Sequence, residues 1–532
     1  PVQGTDKLRQ KTYFDGLGRR IKESLLDASN ASYSIVETQY DPRGRAYRVS
    51  NPHNSTAQYW TETRFDGLGR PTMVIPPDGS PTSNRTVYSY SGNTATVTDP
   101  TGKQRKTETD ALGRLAKVYE PDVDNGNQLT QLTSYAYHVL DLLTQVTQGV
   151  QTRTFNYDGL GRLTSQTTPE ANTVNYQYNN FNLVTQRADA RGVVTTYEYD
   201  TLNRLKQVSY DVGTTGIPAT PTVSFVYGVD PDSNNNGRLI TMTDGTGSES
   251  YEYDQLMPWI KKVTKTIDGT PYVIQYAYNL AGELKSVTYP SGRSAQQDYD
   301  AIGRLSQITS GATTYASGFL YNPADQVTGF NYGNGVAASF GYSPARLLLE
   351  NVSYIKGTQT LFSLTYGYTQ NDGNNGQITS VTDGVDNGRS ATYVYDALGR
   401  LKEAVTVGAA NYPKWHYLYS YDRYGNLTAK DLQPDSVGEH PELFLSYAPS
   451  TNRITSPGYS YDEVGSAARG NLTNDALNSY IYDAENRIKT VNGNGATYYY
   501  DGAGLRVKKT ASGSTIIYIF SGTKVMAEYA AG

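Results

Sequence analysis

The segment Tyr157-Asp158-Gly159-Leu160-Gly161-Arg162-Leu163 determines the architecture, because copies of it recur from one end of the chain to the other. The common pattern is an aromatic residue, Asp, two residues, Gly, Arg and an aliphatic residue. The clearest further copies occupy residues 13–19, 65–70, 199–205, 299–305 and 395–401. Weaker copies begin at Tyr40, Tyr253, Tyr278, Tyr321, Tyr421, Tyr482 and Tyr500. A repeat this short predicts an array in which one unit cannot bury its faces alone.

The spacing inside the motif predicts a tight turn. Asp, two residues and then Gly suit a type I turn followed by a left-handed residue, which is a hairpin loop with a Gly bulge. Asn203 and Asn486 replace the Gly in two copies, and Asn tolerates positive φ better than other side chains. Pro42, Pro323 and Pro344 occupy the second position, where the fixed φ of Pro fits a type I turn.

The segments that enter these turns alternate and are rich in Tyr. Pairs such as Tyr176/Tyr178 and Tyr393/Tyr395 are two residues apart, so they lie on one face of a strand. We expect successive units to stack aromatic on aromatic across the sheet. A second turn cluster, at Asp99–Gly102, Pro77–Gly79, Ala190–Gly192 and Tyr289–Gly292, lies between the motifs. One unit is therefore strand, tight turn, strand and opposite turn.

The length of sheet predicts the architecture. About 21 units of two strands give roughly 40 strands and on the order of 190 Å of sheet at ~4.8 Å per strand. A flat sheet of this size would leave long edges, and a ring would be far wider than an ~8-stranded barrel that its own side chains fill. The sequence therefore predicts an all-β fold in which antiparallel β-hairpin repeats wind spirally into a large hollow shell or barrel, continuous over residues 1–532.

Composition narrows the function classes. The 532 residues include 48 Tyr, 51 Gly and 23 Pro but no Cys, which excludes disulfides, thiolate metal sites and cysteine nucleophiles. The net charge of −5 offers no basic footprint for nucleic acid. No apolar run approaches the roughly 20 residues of a membrane span. The first residues, Pro1 to Gly4, contain no initiator Met and no signal segment, so we expect a fragment of a longer protein.

The repeated Tyr-Asp-x-x-Gly-Arg-Leu motif resembles the RHS/YD-repeat family, which comprises bacterial polymorphic toxins, the B and C components of Tc toxins, and the animal teneurins. The resemblance covers nearly the whole chain. It implies a spiral β-shell that, in bacterial members, encloses a C-terminal toxic domain, whereas in teneurins the shell is part of an extracellular adhesion molecule. The segment Tyr518–Tyr529 resembles the lead-in to the core segment that closes bacterial shells. We expect the core, its aspartyl self-cleavage site and the toxin domain to be absent from these 532 residues.

No residue is predicted to be catalytic, cofactor-binding or metal-binding. His53, His138, His416 and His440 are scattered singly, without ligand-like spacing. Two acidic loops, residues 122–127 and 230–237, have oxygen ligands at alternate positions but lack the distal Glu of a calcium loop, so long polar turns are the better interpretation. The Asp of each motif is predicted to cap its own turn, with Arg paired to Asp or lying on a Tyr ring.

Three functions remain open. The leading hypothesis is a non-enzymatic bacterial shell, secreted or at the cell surface, that encapsulates a toxin or other cargo polypeptide for delivery. Secretion machinery and a cell-surface protein or glycan are further candidate partners, and no cofactor is expected. The alternative is a teneurin-like adhesive or filament-forming extracellular protein. A polysaccharide-cleaving enzyme is the weakest hypothesis, because no cluster of carboxylates breaks the repeat.

Overall fold

The computed structural model describes residues 9–27, 29–230, 233–464, 467–493 and 495–531. These residues form β-strands and two single-turn 3₁₀ helices, Val123–Asn125 and Asn387–Arg389. Each of the strands below pairs antiparallel with a neighbour in sequence, as in Tyr157↔Leu163 between β13 and β14. The predicted all-β class and the hairpin repeat are confirmed.

The strands of the first half of the chain are β1 Arg9–Phe14, β2 Arg20–Leu26, β3 Ser32–Tyr40, β4 Ala46–Ser50, β5 Trp60–Phe65, β6 Pro71–Ile75, β7 Thr86–Ser91, β8 Thr94–Thr98, β9 Gln104–Thr109, β10 Leu115–Asp122, β11 Gln128–Tyr137, β12 Leu143–Gln148, β13 Gln151–Tyr157, β14 Leu163–Thr168, β15 Asn172–Tyr178, β16 Val184–Ala188, β17 Val194–Tyr199, β18 Leu205–Asp211, β19 Val223–Tyr227, β20 Leu239–Asp244, β21 Gly247–Tyr253, β22 Ile260–Ile267, β23 Thr270–Tyr278 and β24 Leu284–Thr288.

The strands of the second half are β25 Ser294–Tyr299, β26 Leu305–Ser310, β27 Thr313–Tyr321, β28 Val327–Tyr332, β29 Val336–Tyr342, β30 Leu349–Lys356, β31 Gln359–Gly367, β32 Ser380–Asp383, β33 Ala391–Tyr395, β34 Leu401–Thr406, β35 His416–Tyr421, β36 Leu427–Leu432, β37 Leu443–Phe444, β38 Tyr459–Val464, β39 Ala467–Asp475, β40 Tyr480–Tyr482, β41 Ile488–Val491, β42 Ala496–Tyr500, β43 Arg506–Ala511, β44 Ser514–Ser521 and β45 Lys524–Ala531.

The chain divides into two compact units, each made of two stretches of sequence. Unit 1 comprises Pro1–Ser134 and Gln296–Phe444, and unit 2 comprises Tyr135–Ala295 and Leu445–Gly532. In each unit we call the earlier stretch the first course and the later stretch the second course. The expectation of one continuous shell of about 21 repeat units over residues 1–532 stays a prediction.

In both units the second course lies against the first. Asn51 contacts Pro344, 293 residues later, in unit 1. Arg191 contacts Asp483, 292 residues later, in unit 2. We call this line of contact within each unit the seam. The ribbon therefore returns alongside itself, as spiral winding of the repeats requires.

Buried apolar side chains are few for a chain of this length. Among the described residues, 22 hydrophobic side chains are buried, and most strand positions remain partly exposed. The main cluster, in unit 2, joins Ile267, Ile274 and Val287 of β22–β24 to Val507, Ile517 and Ile519 of β43–β44. The predicted lead-in segment thus forms β44 and β45, and β44 covers one patch of the first-course sheet.

Candidate functional site: interlocked turns and the seam

The motif folds into the predicted turn. At Asp158 the backbone N–H donates to the Arg162 carbonyl (3.0 Å) and the carbonyl accepts from the Gly161 N–H (2.9 Å). Gly161 has φ +78°, and Asn203 and Asn486 have φ +60° in the same position. The strand register shifts beside each of these turns, as a bulge requires.

The turn at Pro344 departs from this prediction. Ser343 there accepts from the N–H of Leu347, one residue later than in other copies. Leu347 takes the left-handed conformation with φ +56°. The extra residue makes the loop longer, so Pro344 marks a turn of a different length.

Two glycines of one turn give a matched test of the positive-φ position. Gly69 has φ +86° and Gly67 does not have positive φ, and an added Cβ would meet no atom within 4 Å at either. We expect Gly69→Ala to lower the free energy of unfolding by about 1–2 kcal/mol and Gly67→Ala to leave it nearly unchanged. Urea denaturation of the two variants measures the difference. Equal stability would refute the left-handed turn.

The Asp side chain caps its own turn, as predicted. Asp158 Oδ1 accepts the N–H groups of Leu160 (2.9 Å) and Arg162 (3.0 Å), while Oδ2 accepts Arg162 Nε (2.7 Å). The donated Arg162 N–H lowers the pKa of Asp158 below its ordinary value despite some desolvation. The same arrangement recurs at Asp15, Asp41, Asp66, Asp110, Asp200, Asp300, Asp396 and Asp483.

The Arg of one repeat also contacts the aromatic ring of the next. The Arg162 guanidinium carbon lies 4.8 Å from the centre of the Tyr178 ring. The Tyr178 hydroxyl donates to the carbonyl of Leu163 (2.8 Å), directly after that Arg. Both contacts recur for the pairs Arg19/Tyr40, Arg70/Tyr90, Arg204/Tyr227, Arg304/Tyr321, Arg400/Tyr421 and Arg487/Tyr500.

This interlock corrects the expected aromatic stacking. An Arg side chain lies on the motif Tyr ring, which a neighbouring ring would otherwise contact. Direct ring stacking occurs in part of the sheet, as between Phe319 and Phe330, whose centroids are 4.8 Å apart. The sequence interpretation missed the hydrogen bond that the hydroxyl of the motif Tyr donates. The preference for Tyr over Phe at this position is the signal that could have indicated it.

Removal of one hydroxyl tests the interlock. Tyr178→Phe keeps the ring under Arg162 but leaves the Leu163 carbonyl without this donor. We expect a loss of about 1 kcal/mol in the free energy of unfolding, and a larger loss for Tyr178→Leu, which also removes the ring. Thermal and urea denaturation measure both. A Tyr178→Phe variant as stable as the parent would mean that the ring alone matters.

At the seam, hydrogen bonds join two kinds of turn. In the first course, side chains of the opposite turns, which lie between the motifs, donate to backbone carbonyls of motif turns in the second course. Asn51 Nδ2 donates to the carbonyls of Pro344 (2.8 Å) and Ala345 (2.9 Å). Gln151 Nε2 donates to the carbonyl of Pro449 (2.9 Å). These contacts satisfy turn carbonyls that the strand ladder leaves free.

Arg191 is a deeply buried seam donor, with 2% of its surface exposed. Its Nη1 donates to the Asp483 carbonyl (2.8 Å) and its Nη2 to the Ala484 carbonyl (2.6 Å). Its Nε donates to Asp189 Oδ2 (2.8 Å). Each of the three guanidinium nitrogens therefore has a partner and the charge is paired, as burial of a charge requires.

A second buried ion cluster lies at the seam of unit 2. Lys265 Nζ is 2.9 Å from Asp501 Oδ2, 3.1 Å from Glu249 Oε2 and 3.9 Å from Asp244 Oδ2. Asp501 belongs to the motif copy that has Leu505 in place of Arg, so Lys265 of the first course replaces the missing cation. Burial alone would lower the pKa of Lys265, but Asp501 and the other carboxylates hold that pKa above its ordinary value.

The motif turns of the first course lie at the other edge of the ribbon, away from the opposite turns that form the seam. Leu17, Leu68 and Leu112 of unit 1, at the third turn position, are 72–81% exposed. The second-course equivalents Ile302 and Leu398 are partly buried, and Leu398 lines a small cavity with Pro121 of the first course. In unit 2, Leu140, Leu160 and Leu202 are exposed in the same way.

The residues considered as metal ligands remain apart in the described part of the chain, where no three His, Asp or Glu side chains group as a metal site would require. Asp122 Oδ1 accepts the Asp124 N–H at 3.3 Å within a 3₁₀ turn. Pro231 and Asp232 of the second acidic loop lie outside the described residues. His416 Nδ1 lies 2.8 Å from Asp435 Oδ1, and His53 Nδ1 lies 3.1 Å from the Ser55 carbonyl.

Comparison with known proteins agrees with this geometry. The family model "RHS Repeat" matches residues 157–193, 178–215, 278–315 and 374–411. The chain therefore contains RHS repeats in these segments, as the motif predicts. Among the described residues, no helix has the length and apolar character to cross a lipid bilayer.

Individual relatives, a toxin and a nuclease, are much longer than this chain. Double-stranded DNA deaminase toxin A of Burkholderia cenocepacia is 24% identical over 507 residues, which cover 85% of this chain and 34% of the toxin. The tRNA nuclease WapA of Bacillus subtilis is 28% identical over 116 residues, which cover 21% of this chain and 5% of the nuclease. The chain thus spans about a third or less of these relatives.

Among solved structures, TcdB2–TccC3 without its hypervariable C-terminal region superposes with a TM-score of 0.80 at 16% identity. The match covers 96% of this chain and 30% of that chain. At this identity the likeness shows that the two chains share a fold.

Proposed function

We propose that the chain is a non-enzymatic β-shell of a bacterial protein that encapsulates a C-terminal toxin or other cargo polypeptide and protects it for delivery. The observation that carries the proposal is the repeat ribbon itself, whose described residues bury few apolar side chains of their own. A sheet needs a partner for its apolar face. A carried polypeptide would supply that partner.

The chemistry of the described residues favours a passive role. Two buried cations hold one course to the other, Arg191 through the carbonyl of Asp483 and Lys265 through the carboxylate of Asp501. The relatives that share these repeats are named as toxins or nucleases, and this chain matches only part of each. We therefore place catalysis in the cargo and the protein outside the cell or at its surface.

Protease protection of the polypeptide as encoded tests encapsulation. We expect the sequence that follows residue 532 to resist trypsin at least tenfold longer than the same sequence expressed alone. Opening the seam of unit 2 with Arg191→Met and Gln151→Ala should remove the protection, whereas the exposed change Lys206→Met should not. Cleavage at equal rates with and without the repeats would refute encapsulation.

A second candidate, a teneurin-like adhesive or filament-forming extracellular protein, is favoured by the row of exposed leucines on the first-course turns. Such apolar tips at regular spacing would suit lateral contacts. Sedimentation velocity over a range of concentrations distinguishes this role. It predicts self-association that Leu160→Glu and Leu202→Glu abolish, whereas a parent chain that stays monomeric contradicts filament formation.

A further inference from the structure

Strands β28–β31 of unit 1 carry a continuous aromatic row on one side of the sheet. Residues that face each other across adjacent strands point to the same side. The register pairs Phe330 with Ala338, Ala338 with Tyr354, and Tyr354 with Phe362. A parallel row pairs Phe340 with Val352 and Val352 with Leu364. We call these seven side chains the aromatic face.

The rings of the aromatic face touch one another. The Phe330 and Phe340 centroids are 6.1 Å apart, and those of Tyr354 and Phe362 are 5.6 Å apart. Ala338 and Val352, which pair with ring-bearing residues in the strand register, are buried, while Phe362 is 37% exposed. An exposed apolar patch of this kind is typical of an interaction site.

The two sides of these strands differ in chemistry. On the other side small polar residues face each other, as in the Ser339–Ser353 hydrogen bond of 2.7 Å. Between Thr313 and Ala345 the only charged residue is Asp325, in a turn. The seven side chains of the aromatic face are themselves uncharged, and the charged residues of β30, Glu350 and Lys356, lie near the two ends of that strand, so the face favours an apolar partner.

In unit 2, a second-course strand covers the position that is equivalent to Phe340 of the aromatic face. Tyr276 is two residues before the motif Tyr278, just as Phe340 is two residues before Tyr342. Tyr276 packs against the cluster that contains Ile517 and Ile519 of β44, and its hydroxyl donates to Ser521 Oγ (2.7 Å). An apolar β-forming segment is thus the occupant that this ribbon accepts at such a position.

A cavity beside the aromatic face provides room for a side chain. It has a volume of about 430 Å³ and is lined by Phe340, Tyr342, Tyr59 and Pro323. Its lining also includes the polar Asn54, Ser55 and Asn322, so the cavity combines an aromatic wall with hydrogen-bonding groups that could hold a bound side chain.

From these observations we propose that the aromatic face is the docking site for an apolar, β-forming segment of the carried polypeptide. The inference rests on the proposed encapsulating function and adds the place and chemistry of contact. Apolar area and ring stacking would supply the affinity, so the site would accept unfolded segments of varied sequence.

Binding of a defined unfolded polypeptide tests the proposal. The probe is reduced, carboxymethylated α-lactalbumin, and fluorescence anisotropy measures its dissociation constant. We expect the constant to rise at least tenfold in Phe330→Ser/Phe362→Ser and about threefold in Phe362→Ser alone. Leu68→Ser, which removes an equally apolar but 81% exposed turn residue in unit 1, should change it less than twofold.

Circular dichroism confirms that each variant is folded, and Phe362→Ser, at a position that is 37% exposed, serves if the double variant is not. Constants within twofold of the parent for the folded Phe variants, or a parent that does not bind the probe, would overturn the docking site. Protease protection of the encoded cargo distinguishes this failure from failure of the encapsulating function, since protection can persist without this contact.

Discussion

Arg191→Met will lower the free energy of unfolding of unit 2 by about 3–5 kcal/mol, because the change breaks a buried ion pair from one side. Asp189 loses its cation, and the carbonyls of Asp483 and Ala484 lose their donors at the seam. Each buried acceptor that is left unsatisfied adds to the loss.

Trp259 is the one tryptophan of unit 2, so its fluorescence follows this unit when Trp60 and Trp415 are replaced by Phe. Urea denaturation in that background measures the change. Lys206→Met, at an exposed position of unit 2, is the control and should shift the free energy by less than about 0.5 kcal/mol. If Arg191→Met costs no more than the control, the seam does not hold the courses together.

Lys265→Met is expected to have an effect of similar size, about 3–5 kcal/mol at neutral pH, because Asp501 and Asp244 would remain buried without their cation. Lys261→Met, on the same strand with 44% of its side chain exposed, is the matched control. Urea denaturation of unit 2 measures both.

The pH dependence follows from the direction of the pKa shift. The carboxylates raise the pKa of Lys265 above its ordinary value of 10.5, despite the opposing effect of burial. A raised pKa means that the stabilisation is complete below 10.5 and is lost as the pH rises through the folded-state value. The parent should therefore lose its advantage over Lys265→Met at strongly alkaline pH. A difference between the two that is unchanged there would contradict the ion cluster.

The turns could be predicted from sequence because they depend on local backbone geometry. Gly161 and Asn203 tolerate the positive φ that the turn requires, and Pro42 fixes its own φ, so the residue type at each position reveals the turn. The Asp cap was predictable for the same reason, since Asp158 bonds only to residues within four positions.

The seam could not be predicted, because its partners are nearly 300 residues apart and follow no local pattern. Arg191 and Asp483 belong to different turns whose alignment depends on the length of every hairpin between them. One indirect signal in the sequence pointed to Lys265. The motif copy that begins at Tyr500 has Leu505 at the position where the clearest copies have Arg. The covering of β22–β24 by β43–β44 likewise depends on tertiary packing.

Single-particle electron microscopy of the polypeptide as encoded tests the encapsulating role most directly. A matched sample should end at residue 532, so that the difference between the two maps locates the sequence beyond it. We predict difference density enclosed by the repeat ribbon and touching the aromatic face at Phe330 and Phe362. A difference map that places this sequence as a separate domain outside the ribbon would refute encapsulation.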